Sequence, residues 1–172
     1  LTVLCHSAIK VLLEATPHID DFIVFPADKK RERAEKKRIY NELQNGQFDA
    51  GILLTRSFSS AWWFYRGQIA RRIGFKDHFR SPLLTDALNV PKNEELEHQV
   101  ITYKRLLEPL GIPQSNTKPA LYITKQEQQT CQKFLSDLGI EPHHLLIGMN
   151  PGAAFGSAKC WPPDRFKELT AR

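Results

Sequence analysis

The run Leu145-Leu146-Ile147-Gly148-Met149 leads straight into Asn150-Pro151-Gly152-Ala153-Ala154-Phe155-Gly156-Ser157-Ala158-Lys159-Cys160-Trp161-Pro162-Pro163-Asp164. An uncharged apolar run bounded by turn-forming residues predicts a strand covered on both faces, as in parallel sheets. Pro162 or Pro163 suits the first turn of a helix, and Asp164 stands near that helix's positive end. A turn of small residues therefore joins the end of a strand to the start of a helix. Open α/β sheets bind their ligands at that edge. Gly152 and Gly156, with Ala153, Ala154, Ser157 and Ala158 beside them, let a ligand come close to the backbone. Free amides at the helix start favour a phosphate, and Lys159 adds a full positive charge. Two common phosphate motifs are excluded. Cys160 rather than Ser or Thr follows Lys159, so this is no Walker loop, and no Gly-x-Gly-x-x-Gly occurs.

Upstream, strand and helix patterns alternate. Leu1–Cys5 reads as a strand, and Ala8, Val11, Leu12 and Ala15 recur at helical spacing until Thr16-Pro17. Phe22–Phe25 is a second strand, ended by Pro26. A helix with Ile39 and Leu43 on its apolar face closes at Asn45-Gly46, and Phe48–Leu54 is a third strand. Ser57 is placed to cap a helix running to Ile69. Gly74-Phe75 begins a further short strand, and residues 76–93 read as irregular. A polar helix spans about Glu94–Leu110, with Glu94, Glu95 and Glu97 near its positive end. Thr124 and Glu127 fit a capping box that opens a helix stopped by Gly139. The alternation predicts an α/β fold with a parallel sheet. Asn116–Pro119 reads as a linker between a first domain, residues 1–118, and the beginning of a second, 119–172.

Length and composition agree with a globular protein. The chain has 172 residues, 41% hydrophobic and 25% charged, which excludes a disordered tail or a disulfide scaffold. No stretch approaches the ~20 apolar residues of a membrane span. Met149 is the only methionine and Leu1 already sits in a strand pattern, so the sequence reads as a piece of a longer chain. Three distant cysteines, Cys5, Cys131 and Cys160, and the adjacent His143-His144 give no metal-ligand spacing.

The formal charge of +5 is concentrated in one place. Lys29–Arg38 holds seven basic and two acidic residues, and the remainder balances. Such a patch attracts phosphates, on an anionic lipid surface or on nucleic acid. Phe58, Trp62, Tyr65 and Ile69 share one helix face, and Trp63 and Phe64 another. The helix is either a core element or an aromatic belt at a wet boundary. His6 follows a strand and reads as structural.

The segment Pro151–Pro162 resembles the Pro-Gly-Ala…Lys-x-Trp-Pro signature of the bacterial ADP-heptose:lipopolysaccharide heptosyltransferases, glycosyltransferase family 9. Further parts of the chain are similar to that family: Ile52–Ala61, Ile73-Gly74-Phe75 with Arg80 and Leu83-Leu84-Thr85-Asp86, and Thr2–Cys5 with Pro17-His18-Ile19-Asp20. Arg56-Ser57 stands where the pattern has Asn-Ser, and Cys160 where it has a basic residue.

The resemblance implies a metal-independent, inverting glycosyltransferase of the GT-B class, with two Rossmann-like domains facing across a cleft. It implies ADP-heptose as donor and the inner core of lipopolysaccharide as acceptor. The expected site is cytoplasmic, at the anionic inner face of the inner membrane, with no cofactor and no nucleic acid. By that comparison Gly152, Ala153, Ala154, Phe155 and Lys159 cradle the donor diphosphate. Arg56, Ser57 and Arg80 face the acceptor. The general base belongs to a loop upstream of Leu1, so no catalytic residue is expected within the chain. The competing expectations are a nucleic-acid-binding module built on Lys29–Arg38 and a Rossmann dehydrogenase, the latter disfavoured by the missing fingerprint.

Overall fold

A computed structural model describes residues 1–25, 32–92, 96–153 and 159–171, the side chains of 32–34 apart. The chain divides into two compact units, Leu1–Thr124 and Lys125–Arg172.

The first unit alternates strand and helix as the sequence predicts. β1 (Thr2–His6), α1 (Ser7–Leu13), β2 (Asp21–Phe25), α2 (Glu32–Asn45), β3 (Ala50–Leu53), α3 (Phe58–Arg66) and β4 (Arg71–Phe75) follow in order. A 3-10 turn at Ser81–Leu83, β5 (Asp86–Leu88) and α4 (Gln99–Lys104) come next, and a 3-10 stretch, Arg105–Leu110, continues α4. Every strand pairing is parallel. The strands form two sheets rather than the single sheet expected, one of order β1-β2 and one of order β3-β4-β5. They divide because β1 and β3 share no ladder. The helical layer still bridges them: Ile39 and Leu43 of α2 bury against Ile23 of β2 and Ile69 ahead of β4. Phe25 of β2 meets Trp63 of α3 edge-on at 5.5 Å.

β4 and β5 run through residues that look wrong for strands. Arg71 opens β4 and forks onto Asp86 through Nε and Nη2 at 3.0 and 2.9 Å, and the same Nη2 also donates to Pro109 O. Arg72 donates to Leu83 O and Ile69 O at 2.7 and 2.6 Å and lies 5.6 Å from the Tyr65 ring centroid. Polar partners at both strand ends therefore offset the cost of placing two guanidiniums beside a core. β5 falls inside the stretch read as irregular.

Several element ends differ from expectation, three of them at helix C-termini. The α2 terminus puts Gln47, not Gly46, in the left-handed region, at φ 46°. Gly46 matters for a different reason: a Cβ there would stand 2.4 Å from the Phe48 ring, which would have to shift. α3 ends at Arg66 instead of running to Ile69. The helix expected to Leu110 is α-helical only to Lys104, because Pro109 has no N–H to continue the ladder. Left-handed Gly111 closes it. Glu94 and Glu95 lie outside the described residues.

The second unit contains α5 (Lys125–Asp137), stopped by left-handed Gly139, and α6 (Pro163–Thr170). The buried strand expected at Leu145–Met149 is not formed; the run is irregular, with Leu145 87% and Ile147 73% exposed. The reason is pairing. A central strand needs neighbours for its amides and its two apolar faces, and no strand occurs among the described residues of this unit.

Candidate functional site

Two places carry polar chemistry at element ends, one in each unit. The first is the corner between β3 and α3. β3 delivers Leu53 into a core with Ala61 and Leu84, and the chain then turns through Thr55, Arg56 and Ser57. Ser57 is the N-cap of α3, with extended backbone, and its hydroxyl accepts from Ser60 N at 3.3 Å. Ser60 Oγ donates back to Ser57 O at 2.8 Å, and the Ser57 and Ser59 hydroxyls are 3.1 Å apart. No acidic residue stands in the first turn of α3, so the positive helix end faces this corner without a carboxylate of its own helix.

Arg80 lies under the corner. Its Nε donates to Phe75 O at the end of β4, at 2.9 Å, and its Nη1 donates to Thr55 O. Ser57 O and Ser60 Oγ both lie 3.5 Å from the same Nη1. The side chain is 0% exposed and Nη2 makes no hydrogen bond. Burial pushes its ionisation downward; Asp77 opposes that and the neighbouring Arg56 adds to it. Gly74 makes the room, since a Cβ there would meet Nη2 at 3.2 Å and Leu53 Cβ at 3.3 Å. Arg56 is half-buried, its guanidinium 5.5 Å from the Phe75 ring centroid. Of the three residues expected to face an acceptor, Arg56 and Ser57 retain solvent-accessible surface. Arg80 offers a ligand none.

Sequence reasoning did not single out Ser60, Phe75 or Asp77 at this corner. The Ser57-x-x-Ser60 spacing carried a signal for the first, because a capping hydroxyl three residues ahead of another polar group is a capping pattern.

The second place is the small-residue turn. Asn150 Oδ1 accepts from Gly152 N at 3.2 Å, which folds Asn150–Gly152 into an Asx turn. Pro151, Gly152 and Ala153 are exposed. Ala154 and Phe155 lie outside the described residues, as do Gly156, Ser157 and Ala158. Lys159 is exposed and stands just ahead of α6. Pro162 caps that helix without a side-chain hydrogen bond, Pro163 occupies the first turn as expected, and Asp164 brings one negative charge there. Trp161 meets Phe166 edge-on at 5.1 Å and ties the turn to the helix.

Other expected features are placed more simply. His6 caps α1, accepting from Ala8 N at 3.3 Å. Of the basic segment, Lys36, Lys37 and Arg38 are described. Arg38 is a structural clamp, held by Glu35 at 2.8 Å, Glu42 at 2.5 Å and Val24 O at 2.5 Å. α3 resolves the choice over its aromatic residues by splitting them. Trp63 and Phe64 pack inward, while Phe58, Trp62 and Tyr65 form an exposed row, Phe58 stacked on Trp62 and Trp62 tilted against Tyr65. Among the described residues no group of three His, Cys, Asp or Glu side chains is placed to hold a metal ion, and no helix is long and apolar enough to cross a membrane.

Residues 36–172 match the family model described as glycosyltransferase family 9 (heptosyltransferase). The chain is 34% identical over 165 residues to lipooligosaccharide heptosyltransferase 2 of Haemophilus ducreyi. It is 30% identical over 166 residues to lipopolysaccharide heptosyltransferase 2 of Salmonella typhimurium. Each alignment covers 92% of this chain and 47% of the relative, so the chain spans about half the length of these curated relatives. Two solved structures share its fold. A family 9 glycosyltransferase from Veillonella parvula superposes with TM-score 0.85 at 23% identity, over 98% of this chain and 49% of that one. The ADP-heptose lipopolysaccharide heptosyltransferase II of Escherichia coli superposes with TM-score 0.75 at 24% identity, over 99% and 50%.

Proposed function

The chain belongs to glycosyltransferase family 9, and on that footing we propose that it serves the transfer of a heptose from ADP-heptose to the inner core of lipopolysaccharide, with inversion at the anomeric carbon. The observation that carries the reading is the match of residues 36–172, which includes the whole small-residue turn and Lys159.

In this reaction an acceptor hydroxyl attacks the anomeric carbon on the face opposite the diphosphate and gives up its proton to a carboxylate. The chain's own assigned residues do not supply that base. Their work is on the leaving group and the acceptor. The departing diphosphate gains negative charge, which backbone amides and a cation stabilise most when the charge is greatest. Gly152 and Ala153, with Ala154 and Phe155, supply the amides, and Lys159 supplies the cation ahead of α6. Arg56 and the Ser57 hydroxyl are the acceptor-side contacts: a guanidinium suits phosphate or carboxylate, and a hydroxyl suits a sugar.

Such an acceptor sits in a lipid leaflet. The exposed row Phe58, Trp62 and Tyr65, with Arg66 at the end of the same helix, suits the boundary of an anionic membrane on its cytoplasmic side. The nucleic-acid alternative is weakened, because Arg38 is already bound to two glutamates.

Lys159→Ala in the full-length enzyme tests the donor assignment. One charge-assisted contact of ~3 kcal/mol corresponds to a loss of ~10² in donor kcat/KM, measured by ADP release at fixed acceptor. Unchanged donor kinetics in that variant refute the role of Lys159.

A further inference from the structure

We propose that Arg80 is a positioning residue, which acts on the acceptor only by holding the Thr55–Ser57 corner in the shape that presents Arg56 and Ser57. The inference rests on the acceptor-side reading given above.

A fully buried arginine is expensive. Taking a guanidinium out of water is compensated only when its donors find acceptors. Here the acceptors are carbonyls at the ends of two adjacent parallel strands. Nε is bound to Phe75 O after β4 and Nη1 to Thr55 O after β3. One rigid planar group therefore fixes where both strands stop. The same Nη1 lies 3.5 Å from Ser57 O, the carbonyl that also accepts from Ser60 Oγ. The N-cap residue of α3 is thus held from two sides, by its own helix and by Arg80. Phe75 closes the arrangement: its carbonyl anchors Arg80 and its ring lies beneath the Arg56 guanidinium. Gly74 leaves the space that Nη2 occupies.

This placement differs from plain core packing in two ways. An apolar side chain of similar volume would avoid the desolvation of a charge and would often be neutral or stabilising at a buried ionic position. A lysine would keep the charge but, with a single nitrogen, would not bridge two strand ends as a planar fork does. The fork geometry matters for the corner's shape, and stability alone does not require it.

The test uses the full-length enzyme, with Arg80→Gln, Arg80→Lys, Arg56→Ala and the double variant Arg80→Gln/Arg56→Ala. Acceptor KM is measured with an inner-core lipopolysaccharide preparation at saturating ADP-heptose, and donor KM in the reverse arrangement. Amide hydrogen exchange is followed across residues 55–60. We expect Arg80→Gln and Arg80→Lys each to raise acceptor KM about tenfold, with donor KM within about twofold of the parent. Exchange should quicken at residues 55–60 and stay unchanged in α2 and β1. The double variant should be no worse than about twofold beyond Arg56→Ala, because groups acting through one another are not additive.

Unchanged exchange at the corner, additive losses in the double variant, or equal losses on the donor and acceptor sides each overturn the proposal. So does full recovery in Arg80→Lys. If either Arg80 variant fails to fold, the other carries the same measurements, and failure of both marks Arg80 as structural only and also overturns it. If Arg56→Ala alone leaves acceptor KM untouched while exchange at the corner responds to Arg80, the acceptor reading of the corner is what has failed.

Discussion

Two segments of this chain invert ordinary expectation when set side by side. Leu145–Met149 is an unbroken apolar run and forms no strand. Arg71–Phe75 begins with two arginines and is the central strand of its sheet, with Ile73 and Phe75 0% exposed. The difference lies in the neighbours. β4 has β3 on one side and β5 on the other, and Asp86, Pro109 O, Leu83 O and Ile69 O receive its arginines. The 145–149 run has no ladder partner among the described residues. Strand propensity is a measure of fit to a covered, pleated surface, and without that surface hydrophobicity alone fixes nothing.

The largest effect that would break this contrast is a pair of truncations in the 172-residue chain. Phe75→Ala should cost about 3–5 kcal/mol by denaturant unfolding, the usual range for deleting a buried aromatic ring. Ile147→Ala should cost no more than about 0.5 kcal/mol, as for an exposed site. A cost of several kcal/mol at Ile147 would show that the run is covered after all.

Ser57→Ala sharpens the same contrast at one element end. It removes the cap of α3 and should cost about 1 kcal/mol, read as a lower denaturant midpoint with an unchanged slope. No change would mean that Ser60 and Arg80 hold the helix start without the Ser57 hydroxyl.

The smallest signal concerns pH. Two hydrogen-bond donors, the Arg71 guanidinium first and the Thr85 hydroxyl second, hold the Asp86 carboxyl below the ordinary aspartate range. A carboxyl depressed in the folded state adds stability that is complete above its unfolded value of about 3.9 and fades as pH falls through the lowered folded value. The difference in stability between the parent chain and Asp86→Asn should therefore shrink as pH falls below about 4. A constant difference across the acid range would show that the ion pair does not tie β4 to β5.

Much of the first unit was legible because its segments carry local signals. The apolar quartet Phe22–Phe25, the helical spacing of Ile39 and Leu43, and Ser57 at a cap each state their role within a few residues. Beyond that, the information is not local. β5 is three residues long and begins with an aspartate, so nothing near it in sequence marks a strand; its identity depends on Arg71, fifteen residues upstream. Arg80 resisted reading for a related reason. Arginine is almost never fully buried unless paired, and its shortest bonds go to backbone carbonyls, which leave no trace in residue identity. The small-residue turn was visible ahead of a proline-started helix, and Ala154 and Phe155 lie outside the described residues.

The bare apolar run of the second unit has a practical corollary. Leu145, Leu146 and Ile147 lie outside any helix or strand, exposed and uncharged, with no proline within the run. Unshielded segments of that type pair readily with identical copies. Preparations of these 172 residues should self-associate as concentration rises, and a charge placed at Ile147 should keep them dispersed.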